Sequence, residues 1–130
     1  MPKILIVDDD PVIRNLLEQI LEPFEEHGVE LLTADNGVAA LEVVRSARPE
    51  VIFLDVMMPR MNGFEVCKIV KNDPDIANCY VVMLTAKGQE VDKQKAKEIG
   101  VDCYITKPFN ITELVGKVSE VMGIKIKWGS

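Results

Sequence analysis

At 130 residues, 48% hydrophobic and 28% charged, the chain has the size of one domain, leaves little room for a second, and carries too much apolar surface for a disordered segment. Fifteen Lys and Arg against 21 Asp and Glu give a net charge of −6, which argues against direct nucleic-acid binding and against attraction to an anionic membrane. No apolar run approaches the roughly 20 residues that span a bilayer, no signal peptide is readable, and Cys67, Cys79 and Cys103 lack the close pairing of zinc or dithiol sites, so a cytoplasmic protein with reduced thiols and no membrane insertion is expected.

Short runs rich in β-branched residues alternate with segments of helical period. Lys3 to Val7 reads as a first strand. Asp10 is placed to cap the helix after it, Pro11 suits the first helical position, and Ile13, Leu16, Leu17, Ile20, Leu21 and Phe24 keep the i, i+3, i+4, i+7 spacing. Pro23 cannot donate to the Gln19 carbonyl, so this helix is expected to kink or end near Glu22. Glu30 to Ala34 is a short, mixed second strand, and Asn36-Gly37 starts a helix whose stripe of Ala40, Leu41, Val44 and Ala47 stops ahead of Pro49. Val51 to Leu54 is a third strand, and Asn62 with Glu65 has the spacing of a capping box opening a third helix. After a fourth strand, Tyr80 to Leu84, comes a helix at about Gln89 to Ile99. Its apolar face is only Val91, Ala96 and Ile99, with Lys93, Lys95 and Lys97 alternating along it, so it is the element expected to move. Asp102 to Ile105 is the fifth strand, and Asn110 with Glu113 opens a fifth helix that buries Ile111, Leu114, Val115, Val118 and Met122. Residues 1–123 are thus expected to form one domain. Residues 124–130, with Ile124, Ile126 and Trp128 alternating, read as a C-terminal tail, which could be an added strand, an edge that pairs with a second chain or the start of a linker.

Strictly alternating strands and helices imply right-handed crossovers and an α/β fold, a single doubly wound five-stranded parallel sheet with helices on both faces. The order 2-1-3-4-5 fits, with the mixed second strand at an edge, and it opens a crevice at the carboxyl ends of strands 1 and 3. To that rim the sequence delivers Asp8, Asp9 and Asp10 after strand 1, and Asp55 after strand 3, followed by Val56-Met57-Met58-Pro59. Strand 4 adds Thr85-Ala86, and strand 5 adds Thr106-Lys107-Pro108-Phe109. Two carboxylates about 4 Å apart repel by about 1 kcal/mol even in water and by several at lower effective dielectric. A hard divalent cation such as Mg²⁺ offsets this, and Asp8, Asp9 and Asp55 against Mg²⁺ and Lys107 come to zero formal charge, a site able to accept a phosphoryl group. Asp55 stands alone at the central strand end and is the candidate nucleophile for an aspartyl phosphate, whereas Asp10 is better placed as a helix cap than as a ligand. His27 lies in a polar turn and carries no role. Neither G-x-x-x-x-G-K-[ST] nor G-x-G-x-x-G follows strand 1, which removes the common nucleotide-binding classes.

These segments, Ile4 to Asp10, Leu54-Asp55-Val56-Met57-Met58-Pro59-Arg60-Met61-Asn62-Gly63, Met83 to Ala86 and Tyr104 to Phe109, resemble the receiver domain of bacterial two-component response regulators from about Lys3 to Met122. The resemblance implies a phosphorylation-activated switch that is no turnover enzyme and catalyses only its own phosphorylation and dephosphorylation. Asp55 would be the phosphoacceptor, taking its phosphoryl group from a sensor histidine kinase or a histidine phosphotransfer protein. Asp9, Asp55 and the carbonyl of Met57 would hold Mg²⁺, with Asp8 acting through a water. Lys107 would pair with the acceptor carboxylate and then with phosphoryl oxygens. Thr85 would be drawn to the phosphoryl group, letting the ring of Tyr104 turn inward and remodelling the face of helix 4, strand 5 and helix 5 for a downstream protein target or a dimer of the phosphorylated form. A cis peptide is implied before Pro108. Met57 and Lys87 occupy positions that in the family line the path of the hydrolysing water, and their long side chains are expected to slow loss of the phosphoryl group. The alternative is an Mg²⁺-dependent aspartate-nucleophile phosphatase, which in the haloacid dehalogenase class would want a second acid where this chain has Met57.

Overall fold

The structure, a computed structural model, describes residues 1–58, 60–86 and 93–126. Five parallel strands, β1 (Lys3–Val7), β2 (Glu30–Ala34), β3 (Val51–Asp55), β4 (Tyr80–Ala86) and β5 (Cys103–Lys107), form one sheet in the order β2-β1-β3-β4-β5. Between and after them run α1 (Pro11–Glu25), α2 (Gly37–Ala47), α3 (Gly63–Asn72), α4 (Lys93–Ile99) and α5 (Ile111–Met122).

The uniformly apolar strands are explained by cover on both faces. Leu5, Val7, Ile52, Leu54, Val81 and Met83 face a cluster with Ala40, Leu41 and Val44 of α2 and Val66, Cys67 and Val70 of α3. The alternate residues Ile4, Ile6, Val51, Phe53, Val82 and Leu84 pack with Leu17, Ile20, Leu21 and Phe24 of α1 and Leu114, Val115 and Val118 of α5. Four of the helices begin at a side-chain cap: for α1, α2 and α5, Asp10 accepts from the Val12 N–H, Asn36 from Ala39, and Asn110 from Glu113. Asn62 and Glu65 form the full reciprocal capping box.

Several local expectations need correction. The first helix runs through Pro23 to Glu25, because the proline forfeits one hydrogen bond while Phe24 beside it is wholly buried and anchors the last turn. The strands reach further toward the rim than their apolar runs: β3 includes Asp55, and β4 and β5 continue as the pairs Thr85↔Thr106 and Ala86↔Lys107. The fifth strand accordingly begins at Cys103 rather than Asp102, whose carboxylate instead accepts from the Val81 N–H at 2.8 Å. Ile111, in the first turn of α5, is 46% exposed and Leu16 39%, so both stand at the edge of the core, and Met122 is half-buried.

Gln89 and Val91 of the expected fourth helix, with Pro59, Lys87 and Trp128, lie outside the described residues. Ile124 and Ile126 pack on the α1 and α5 side of the sheet, where Ser119 Oγ donates to the Ile124 carbonyl. Cys67 and Cys79 are buried free thiols, pushed up to about 11 and about 12 chiefly by burial, and Cys103 is half-buried and also raised, so all three are inert at neutral pH. His27 is exposed, and among the described residues no helix is long and apolar enough to cross a membrane.

Candidate functional site

The rim site follows from strand register. Because Val7 pairs with Leu54, the residues just beyond them place Asp8 and Asp9 alongside Asp55. One carboxylate oxygen from each of the three lies within 4.8 Å of the others. Lys107 ends β5, two strands from β3, and its long side chain returns over the sheet edge to put Nζ 3.0 Å from Asp8 Oδ2 and 3.5 Å from Asp55 Oδ1. The ammonium therefore sits nearer Asp8 than the central acid.

Asp8 has no exposed surface and Asp55 only 7%, whereas Asp9 faces solvent. Burial raises the Asp55 carboxyl to about 6 and the neighbouring Asp8 charge adds to the rise; Lys107 and the Met57 N–H, 3.3 Å from Oδ1, pull the other way. Among the described residues, three carboxylates facing one ammonium form a hard, oxygen-only donor set with unbalanced negative charge, and these residues fit a divalent cation of the Mg²⁺ type.

Thr85 is buried one residue beyond the Asp55↔Leu84 pair, and its hydroxyl lies 3.5 Å from that of Thr106. Tyr104, opposite Met83 in the ladder, is half-buried against the α2 and α3 side, with its hydroxyl oxygen buried. Asp8, Asp9, Asp55 and Lys107 are thus brought together, with Thr85 just along the strand and Tyr104 behind it. Met57 joins through its backbone, while its side chain is 66% exposed. Asp10 caps α1 as expected, and the Lys107–Pro108 peptide is cis. Beside Lys107 opens an apolar groove of about 460 Å³, lined by Ile13, Leu16 and Ile20 of α1 and by Phe109 and Ile111.

Two contributors were given no role by the sequence: Gly63 stood only as the last residue of the family-like Leu54 to Gly63 segment, and Arg14 carried no reading. Gly63 passes so close to the Asp55 backbone that a Cβ there would lie 2.4 Å from the Asp55 carbonyl oxygen and 2.9 Å from the Met83 sulfur. Arg14 donates from Nη1 to the Asp8 carbonyl at 2.8 Å. Both act on backbone atoms, which no pairing of side-chain types announces; the only available hint was that Arg14 is the single basic residue of α1.

This fold, with an acidic pair and a lone aspartate at its switch point and a lysine opposite, is that of a phosphoacceptor signalling domain, and residues 4–119 match the response regulator receiver domain. The chain belongs to that family, the regulators of two-component signal transduction. It is 36% identical to protein PilG of Pseudomonas aeruginosa over 116 residues, covering 89% of this chain and 84% of PilG. With RpaA of Synechocystis, a DNA-binding dual master transcriptional regulator, it shares 38% identity over 122 residues, 94% of this chain but 49% of RpaA. The chain likewise spans about half the length of the heme response regulator HssR of Staphylococcus aureus, 52% with 39% identity. Among solved structures it resembles the chemotaxis protein CheY4 of Vibrio cholerae, with a TM-score of 0.79, 34% identity, and coverage of 93% of this chain and 98% of CheY4.

Proposed function

We propose that the chain is a phosphorylation-activated switch in which Asp55 accepts a phosphoryl group, with Mg²⁺ dependence, from the phosphohistidine of a sensor histidine kinase or phosphotransfer protein. The convergence of Asp8, Asp9 and Asp55 within 4.8 Å, with Lys107 at 3.0 and 3.5 Å from two of them, carries this reading. At neutral pH a carboxyl near 6 is mostly ionised, so Asp55 can attack phosphorus. The new O–P bond forms as the P–N bond to the donor imidazole breaks, and the leaving nitrogen keeps the electron pair. Asp9, Asp55 and the Met57 carbonyl would hold the Mg²⁺, with Asp8 acting through a water; when bound, the ion supplies positive charge against the incoming phosphoryl oxygens. Lys107 holds the acid cluster together beforehand and offers its ammonium to a phosphoryl oxygen afterwards.

Met57, two residues after the nucleophile, offers no acid to an attacking water, which favours stoichiometric acceptance over turnover. A phosphodonor protein seated over Asp55 also covers the apolar groove that shares Lys107 with the site. Output follows from Thr85 and Tyr104: recruitment of the threonine hydroxyl to the phosphoryl group shifts packing behind it, altering the face of α4, β5 and α5 for a downstream protein or a second copy. Residues 1–123 carry this switch, with 124–130 as a tail or linker start.

Incubation with Mg²⁺ and acetyl phosphate, followed by intact-mass measurement, tests the chemistry. The wild type should gain one phosphoryl group and Asp55→Asn none; an unmodified wild type, or equal modification of the variant, would overturn it.

A further inference from the structure

A fixed positive charge beside a pocket for a divalent cation needs a reason, because it repels the ion. Arg14 completes a four-point hold on Asp8. The Asp8 N–H donates to the Ala34 carbonyl at 3.2 Å, Oδ1 accepts from the Asp10 N–H at 2.9 Å and Oδ2 from Lys107 at 3.0 Å. The fourth point is the carbonyl oxygen, 2.8 Å from Arg14 Nη1. That carbonyl and the Asp9 N–H belong to one rigid peptide plane, so whatever aims the first also aims the bond from which Asp9 hangs. Asp9 is exposed, yet its carboxylate converges with those of Asp8 and Asp55. A guanidinium is planar and stays charged at any working pH, which makes it a constant clamp.

We propose that Arg14 is a positioning residue for the cation site: through the Asp8 carbonyl it fixes the Asp8–Asp9 peptide so that the Asp9 carboxylate meets that of Asp55. The proposal rests on the metal-dependent acceptor function set out above. Charge and orientation make opposite demands. If Arg14 acted only as a charge, its removal would tighten cation binding; as an orienting donor, its removal weakens it, and losing such an outer contact costs about 10–100-fold in metal affinity.

Mn²⁺ titrated into the full chain, with the free ion read by electron paramagnetic resonance, distinguishes the two. Arg14→Met should bind Mn²⁺ about 10-fold or more weakly than wild type, and the backbone ¹⁵N resonance of Asp9 should move while the urea unfolding midpoint stays close to that of wild type. Arg14→Gln, too short to reach the same carbonyl, is measured in parallel and should weaken binding likewise, so that a folding defect in one variant does not decide the outcome. Binding by the folded variants as tight as in wild type, or tighter, overturns the proposal and leaves the acceptor function standing. Failure of the wild type itself to bind Mn²⁺ defeats that function as well.

Discussion

Removing the central negative charge should stabilise the metal-free protein. Asp55 is nearly buried beside Asp8, and its carboxyl is raised from 3.8 to about 6, first by burial and then by that neighbour. Between those two values the folded chain holds a proton that the unfolded chain has released. Stability contributed by this group is therefore fullest below pH 3.8 and is lost as pH rises to about 6, the reverse of an ion-paired carboxylate. The rise corresponds to about 3 kcal/mol of destabilisation at neutral pH. Asn keeps the volume and can still accept from the Met57 N–H, so Asp55→Asn deletes the charge and little else. The value of about 6 already contains the attraction to Lys107, so what offsets the gain is the cost of burying the Asn amide, leaving about 1–3 kcal/mol, or roughly 4–12 °C in Tm.

Urea unfolding followed by circular dichroism at pH 7.5 in EDTA measures the difference. At pH 4.5 it should shrink to about a third, because wild-type Asp55 then takes up its proton. Millimolar Mg²⁺ should also narrow it, since a cation bound by the folded state stabilises wild type in proportion to occupancy. A variant no more stable than wild type in EDTA at pH 7.5, or a gap indifferent to pH, would refute the electrostatic account of the site.

Gly63→Ala should cost about 2–3 kcal/mol and slow phosphorylation by acetyl phosphate, because the new methyl group meets the Asp55 carbonyl at 2.4 Å and one of the two backbones must yield; a urea midpoint unchanged from wild type would show that the loop gives freely. Arg48 closes α2 in the left-handed region at φ 51, so Arg48→Gly should raise stability by roughly 0.5–1 kcal/mol, the steric relief exceeding the added chain entropy, as read by the same urea experiment. The double variant Leu16→Glu, Ile111→Glu places charge in the groove beside Lys107. Transfer from a phosphorylated kinase that labels wild type should fall about 10-fold or more while labelling by acetyl phosphate changes by less than about twofold; equal losses with both donors would count against a docking role for the groove.

The parts of this molecule that were legible in its sequence are those whose cause is local or periodic. Strands buried on both faces must be apolar throughout, helices must bury a stripe, and caps need a short polar side chain at one position; Asp10, Asn36, Asn62 and Asn110 all cap where their spacing suggested. The four charged site residues could be found for a related reason: in a doubly wound sheet a polar residue directly after an apolar strand falls on the rim, so Asp8, Asp9, Asp55 and Lys107 needed only the strand order to be placed together. What escaped depends on atoms that every residue shares. Thr85, Thr106 and Lys107 are held in strand by ladder partners distant in sequence, and their polarity hid it. Pro23 breaks a local rule, and one buried phenylalanine outweighs the break. Gly63 and Arg14 serve the site through the carbonyls of Asp55 and Asp8, contacts that depend on where a backbone oxygen points and not on which side chain it carries. The chemistry of this rim is therefore written in side chains, but its geometry is kept by the main chain, and substitutions at positions with no chemistry of their own should disturb it as much as changes to the acids themselves.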